Sequence, residues 1–319
     1  MDRTNDDLRN LFESTPTGTV FLNRHMVIRT FTPAITAIFN LIAGDRGRPL
    51  SDIANDLDVV DLREEIEAVL RTRQPRERRV MRHNRQAHYL MRILPDNTAS
   101  ADGGVLVSFI DISPMVAFER HLRDFNEGAD TMLRMVLQIA DTTLAQAATH
   151  QAQEAGMSRL RSLGAIYKLL SRVEWHPVVL KDLLTEELEE LGLSDAARVA
   201  LDGPEVSLKP KTAIVIGLAL HELVANAKRH GALSGTQGRV DLNWSVKAPD
   251  GGDGQLAVTW RESGGPGVAP PETTGFGRTL FERQLRAEIG AEASLNFAPG
   301  GAEASIALPL SSSIAVQDC

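Results

Sequence analysis

Between residues 122 and 139 the apolar side chains Leu122, Phe125, Ala129, Met132, Val136 and Ile139 follow one another at intervals of 3, 4, 3, 4 and 3. Such spacing keeps one stripe on one helix face and asks for a second helix to cover it. A second run, Met157, Leu160, Leu163, Tyr167 and Leu170, has helical spacing as well. A helical hairpin is therefore predicted over 115–192, and two such hairpins could pair as a four-helix bundle. Mixed short elements lie on either side of it, so its position divides the chain into parts.

Before the hairpin, residues 20–22 and 27–31 read as two strands around the turn Asn23-Arg24-His25. Residues 33–39 begin with a helix-start proline, and 61–70 carry Leu62, Ile66, Val69 and Leu70 at helical spacing. Residues 78–81, 88–93 and 105–110 are strand-like. Two strands, small helices and three strands describe an α+β domain with one antiparallel sheet. After the hairpin, 212–230 reads as a long helix, 240–246 and 255–262 as strands, 275–289 as a helix opening at a glycine turn, and 293–297 and 302–308 as closing strands. The glycines of 250–254 and Gly300-Gly301 supply tight turns. The chain thus reads as an α+β multidomain protein, and its 319 residues suit at least two domains.

Composition narrows the function. A formal charge of −8 argues against a general nucleic-acid binder, which needs a basic face. No apolar stretch approaches the roughly 20 residues of a membrane span, and the opening Met1-Asp2-Arg3-Thr4 has no leader pattern. Cys319 is the sole cysteine, so disulfide scaffolds, thiolate zinc sites, internal cysteine nucleophiles and a flavin–cysteinyl adduct are excluded. A cytoplasmic protein without nucleic-acid or membrane partners is expected.

Three segments carry the chemistry. In His221–Ser234, Glu222 and Asn226 share a helix face, with Arg229 and His230 nearby and Leu220, Leu223 and Ala227 on another. A carboxamide oxygen can ligate magnesium that bridges phosphates, a carboxylate one turn away can accept a proton, and a cation can meet phosphate charge. Taken alone, Glu and Asn on one helix face are more often a solvated surface. Trp260-Arg261-Glu262-Ser263-Gly264-Gly265-Pro266 ends a strand in a small-residue loop, where Glu262 can accept from an adenine amino group. Gly275-Phe276-Gly277-Arg278-Thr279 opens a helix whose first N–H groups attract phosphate.

The stretch 221–309 resembles the ATPase domain of the HWE histidine kinases, within the GHKL group of Bergerat-type α/β sandwiches. "HELVANAKRHGALS" is similar to that family's asparagine box, "WRESGGP" to its Trp-x-Glu box and "GFGRTL" to its glycine box. The resemblance implies a site for ATP and Mg2+. Asn226 would hold the metal, Glu222 would assist phosphoryl transfer, Arg229 would face phosphate and Glu262 would contact adenine. His221, His230, Trp260, Gly264, Gly265, Gly275, Phe276, Gly277 and Thr279 would complete the pocket. Arg229 and His230 stand where the family has Lys and Tyr. The first hundred residues, through "FLNRHMVIRTFTPAITAIFN", "GRPLSDI" and "GVLVSFIDIS", resemble a PAS sensor domain. The expected division is a PAS domain over 1–114, a helical dimerisation and phosphotransfer-like region over 115–192, the ATPase domain over 193–312 and a tail over 313–319. A homodimer and a response regulator receiver domain are the implied partners. The PAS ligand is open: haem through His25 or His83 is one choice, and an empty, protein-sensing domain is the favoured one.

One departure is plain. The family's acceptor box, His-Arg-x-Lys-Asn, aligns with Glu127-Gly128-Ala129-Asp130-Thr131, where no residue of the box survives and Glu127 stands at the acceptor position. His25, His83, His88, His121, His150 and His176 are alternative imidazoles, although each is more simply read as a surface or structural histidine. Three functions remain open: an ATP-dependent sensor histidine kinase, a pseudokinase adaptor that binds nucleotide without phosphorylating itself, and a GHKL kinase acting on serine.

Overall fold

The computed structural model of the chain describes residues 14–54, 57–58, 61–82, 87–96, 103–145, 150–193, 198–247, 254–267, 276–298, 300–310 and 314–315. The chain divides into two compact units, 1–120 and 121–319. Among the described residues no helix is long and apolar enough to cross a membrane.

In the first unit, strands β1 (Gly18–Asn23) and β2 (Ile28–Phe31) form the expected antiparallel hairpin. The Asn23 carboxamide sets its turn by accepting the backbone N–H groups of His25 at 2.9 Å and Val27 at 3.0 Å. Helix α1 (Leu62–Thr72) starts where the Asp61 carboxylate accepts the Glu64 N–H at 3.0 Å, and it ends at Arg73, whose φ is 56°. The span 33–39, expected to be helical, is a short 3-10 turn, Pro33–Ala37. Strands β3 (Arg76–Met81), β4 (His88–Pro95) and β5 (Gly104–Asp111) complete a five-stranded antiparallel sheet in the order β2-β1-β5-β4-β3. Its core is filled by apolar side chains, with the Phe39 and Phe109 rings edge to face at 5.5 Å. His25 is exposed on the hairpin turn, away from that core. His83 lies outside the described residues.

Helices α2 (Ser113–Ala145) and α3 (His150–Arg172) occupy the span of the predicted hairpin. The stripe on α2 has two fates. Ile139 is buried and Met132 and Val136 pack against the second unit's core, whereas Leu122 and Phe125 remain exposed. His121 stacks on His176 with ring centroids 4.4 Å apart, and Phe125 meets Trp175 edge to face at 5.0 Å. The short β6 (Val178–Val179) leads into α4 (Leu180–Glu190), which buries Leu180, Leu183, Leu184 and Glu187 at helical spacing.

Beyond it come β7 (Val199–Asp202), β8 (Ser207–Leu208) and α5 (Pro210–Arg229), the long helix expected at 212–230. Strands β9 (Arg239–Lys247) and β10 (Gln255–Ser263) pair antiparallel. Residues Phe276–Thr279 form α6, which passes through a π turn at Leu280–Gln284 into α7 (Leu285–Ile289). Strands β11 (Glu292–Ala298) and β12 (Gly301–Pro309) close the sheet in the order β11-β12-β10-β9-β7. A small second sheet joins β13 (Ile314–Ala315), β8 and β6.

Alternation fixes which sheet face is buried. Val240, Leu242, Leu256, Val258, Trp260, Ile306 and Leu308 point inward, while Asp241, Asn243 and Thr259 point out. Helix α5 is buried nearly all round through Val224 because it is a middle layer. The sheet lies on one side of it, and α3 and α4 pack on the other. At Gly217 a Cβ would sit 2.7 Å from Ile166 Cδ1, so α3 and α5 approach at a residue that has no side chain. One hydrophobic cluster therefore runs from Met135 to Leu308, across residue 193 where the sequence suggested a change of domain.

Candidate functional site

The last turns of α5 leave the apolar sandwich and carry the polar residues predicted to serve the site. His221 is 1% exposed and Glu222 3%, so both are inside and need partners. Both find them on the layer formed by α3 and α4. His221 Nδ1 lies 3.3 Å from Glu187 Oε2 of α4, and His221 Nε2 lies 3.1 Å from Ser158 Oγ of α3. Arg159, the next residue of α3, clamps Glu222 with Nε donating to Oε1 at 2.6 Å and an Nη donating to Oε2 at 3.0 Å. The Arg159 guanidinium stacks over the Phe276 ring at 4.6 Å. A Cβ on Gly277 would stand 3.0 Å from Glu222 Oε2, so the glycine turn passes directly beside that carboxylate.

The Trp-x-Glu segment reaches the same end of α5 from the sheet. Glu262, 5% exposed, accepts the Ala232 backbone N–H at 2.7 Å and the Trp260 indole N–H at 3.2 Å. Trp260 and Glu262 are two apart on one strand and so share the inner face. Trp260 lies in the core and orients Glu262. The carboxylate in turn anchors the chain where α5 ends. A Cβ on Gly231 would fall 2.1 Å from Glu262 Oε2, and one on Gly265 would fall 2.4 Å from Ala232 Cα. Gly264 has φ of 69°, a conformation that suits glycine. Segments 30 residues apart, Gly231-Ala232 and Glu262-Gly265, are thus fitted against each other.

Asn226 is half-buried, and its Oδ1 accepts from an Arg229 Nη at 3.4 Å. Arg229 and His230 are exposed at the helix end, and the Arg229 Nε also donates to Ala225 O at 3.1 Å. Phe276 is buried and Thr279 half-buried. Gly275 and most of the loop before it lie outside the described residues. A cavity of about 240 Å³ opens between α3 and α5, bordered by Ser158, His221, Glu222, Ala225, Lys228 and Arg229. Among the described residues no three His, Cys, Asp or Glu side chains are placed to hold a metal ion.

The structure therefore gathers Glu222, Phe276 and Gly277 at one point and Gly231, Trp260, Glu262, Gly264 and Gly265 at another, both along the last turns of α5. Glu127 stands apart from this group on α2, exposed. Three residues that pattern reasoning did not single out, Ser158, Arg159 and Glu187, contact the motif directly. Neither Ser158 nor Arg159 differs locally from any polar residue on a helix.

Two family models match the chain: "PAS domain" over residues 8–113 and "HWE histidine kinase" over 131–205. Residues 131–205 are thus similar to the HWE histidine kinases and residues 8–113 to PAS domains. A blue-light-activated histidine kinase of Brucella anthropi is 30% identical over 193 residues, which are 60% of this chain and 39% of that protein. The corresponding protein of Brucella ovis is 28% identical over 179 residues, covering 56% and 36% respectively. The chain thus matches about two fifths or less of the length of these curated relatives. A solved blue-light activated histidine kinase of Erythrobacter litoralis overlays 95% of this chain and 98% of its own at 16% identity and a TM-score of 0.40.

Proposed function

We propose that the chain binds Mg-ATP along the C-terminal turns of α5 and relays a state of its PAS domain to a response regulator receiver domain. The observation that carries this reading is the joint placement of three motifs at one helix end. Glu262 is locked beneath the Gly231-Ala232 turn, Gly277 lies against Glu222, and the Asn226 carboxamide is between them in sequence and half-exposed. The residues fit the group. Gly231, Gly264 and Gly265 keep side chains away from the loop, and Glu262 retains lone pairs for an adenine amino donor. Asn226 offers a neutral oxygen of the kind Mg2+ accepts beside phosphate. Arg229 supplies charge for a phosphate. Bound Mg2+ would neutralise phosphate charge during transfer. The division into a PAS domain over 1–114, a helical region over 115–192 and an ATPase domain over 193–312 is part of the same proposal, as is a cytoplasmic location. So is a homodimer through α2, whose Leu122, Phe125, Leu133 and Leu137 are exposed.

A second reading, a pseudokinase adaptor, is favoured by two observations. Glu127 stands at the family's acceptor position on α2, and a carboxylate there offers no imidazole. Glu222 is held on both oxygens by Arg159, so its role in proton transfer requires Arg159 to let go. Incubation with labelled Mg-ATP and a receiver domain separates the two. Label that is acid-labile on this chain and passes to the receiver supports the kinase. Nucleotide binding with no transfer to the receiver supports the adaptor. No nucleotide binding refutes both.

A further inference from the structure

Ser158, His221 and Glu187 come from three helices, α3, α5 and α4, and form one hydrogen-bonded line. Ser158 Oγ is 3.1 Å from His221 Nε2, and His221 Nδ1 is 3.3 Å from Glu187 Oε2. The Ser162 hydroxyl holds Glu187 from behind at 2.8 and 3.0 Å. His221 and Glu187 are each 1% exposed, whereas Ser158 is half-buried and borders the cavity of about 240 Å³. A carboxylate on Nδ1 fixes the tautomer that leaves Nε2 free to accept a proton, and the hydroxyl lies at that nitrogen. A plain helix-to-helix hydrogen bond would need neither the carboxylate behind the imidazole nor an opening in front of the hydroxyl. Two cations, Lys228 and Arg229, and two carboxylates, Glu154 and Glu222, border the same cavity, and Glu222 touches the glycine turn.

We propose that Ser158 is an O-phosphorylation site of this protein, accepting the γ-phosphoryl group of ATP with His221 as general base. The inference rests on the nucleotide cleft described above and names an acceptor for it. In the step, Ser158 Oγ forms a bond to Pγ while the bond from Pγ to the β,γ-bridging oxygen breaks. The hydroxyl proton passes to His221 Nε2, the electron pair of the broken bond leaves with ADP, and phosphoserine remains. Lys228 and Arg229 meet the charge of the new phosphate. Such an ester does not pass its phosphoryl group to a receiver aspartate, so it marks α3 rather than feeding a relay. Phosphorylation also ends the Ser158–His221 hydrogen bond and places a dianion beside the Arg159–Glu222 pair.

The experiment uses the full chain with Mg-ATP, phosphopeptide mapping, and calorimetry of nucleotide binding on the same samples. The expected result is one acid-stable, base-labile phosphate on Ser158, absent in Ser158→Ala although that variant binds ATP within about twofold of wild type. His221→Gln should form it about 100-fold more slowly. If His221→Gln does not fold, the wild-type map and Ser158→Ala decide the question. Nucleotide binding without phosphate on Ser158, or equal labelling of Ser158→Ala, overturns the proposal. Absence of binding heat in the wild type overturns the nucleotide cleft itself and the proposal with it.

Discussion

Replacing Arg159 with Met tests how α3 is tied to the asparagine helix. Arg159 and Glu222 are 8% and 3% exposed, and two charge-assisted hydrogen bonds of 2.6 and 3.0 Å join them. Removing one member of such a pair leaves a buried charge without a partner, at a cost of about 3–5 kcal/mol. The guanidinium also leaves the Phe276 ring, a contact worth roughly 0.5–2 kcal/mol. Methionine fills much of the volume, so the charge term dominates. With a urea slope of about 2–3 kcal/mol per M, the unfolding midpoint of the second unit should fall by about 1–2.5 M. Tryptophan fluorescence reports that unit selectively, because Trp175, Trp244 and Trp260 are the three tryptophans of the chain and all lie in it. Adding Glu222→Gln in the Arg159→Met background should restore much of the loss, since a buried amide costs less than a buried carboxylate. The cycle should give a coupling above about 1 kcal/mol. A single variant within about 0.5 kcal/mol of wild type, or two effects that simply add, would show that the pair does not hold these helices.

Two further outcomes follow from the same structure. Gly231→Ala pushes a methyl group to 2.1 Å from Glu262 Oε2; it should destabilise the second unit by about 1–3 kcal/mol in urea melts and weaken nucleotide binding, and a variant with unchanged midpoint and affinity would refute the fit described. Burial raises the Glu288 carboxyl, but the hydrogen bonds and charge of Arg134, with Lys211 beside it, outweigh that and hold it below the ordinary glutamate value. A depressed carboxyl adds stability above its unfolded pKa and loses it as pH falls through the folded one. Glu288→Gln should therefore cost about 1 kcal/mol or less at neutral pH, since Arg134 is half-exposed, and the gap should close as pH drops below the usual carboxylate range. A gap that persists unchanged at low pH would refute the assignment.

Most strands of the two five-stranded sheets were legible because period-2 alternation survives in them, as in Val240, Leu242 and Trp244 facing inward between polar residues, whereas the four-residue β7 and the two-residue strands of the third sheet are too short to show it. Helix α5 was legible from its long apolar run, although it begins at Pro210, two residues before the start read from the sequence. Helix α4 has a clear stripe at Leu180, Leu183 and Leu184, but Glu187 falls on the same buried face and interrupts it. The buried carboxylate is accommodated there by the Ser162 hydroxyl and the His221 ring, both of which lie within hydrogen-bond distance of it. The contacts of Ser158 and Arg159 to α5 span 63 residues and leave no local mark. Trp260 illustrates a different limit: the motif placed it in the pocket, whereas strand alternation puts it on the same buried face as Glu262, where its indole N–H donates to that carboxylate.

If the turn of α5 bearing residue 226 forms one wall of a nucleotide cleft, titration calorimetry with Mg-ATP reads it out. Wild type should give a saturable heat that is lost when Mg2+ is chelated, and Asn226→Ala should weaken affinity by about 10- to 100-fold or more with the fold intact by circular dichroism. Equal affinities for the two proteins, or no heat from the wild type, would show that residue 226 lines no nucleotide cleft.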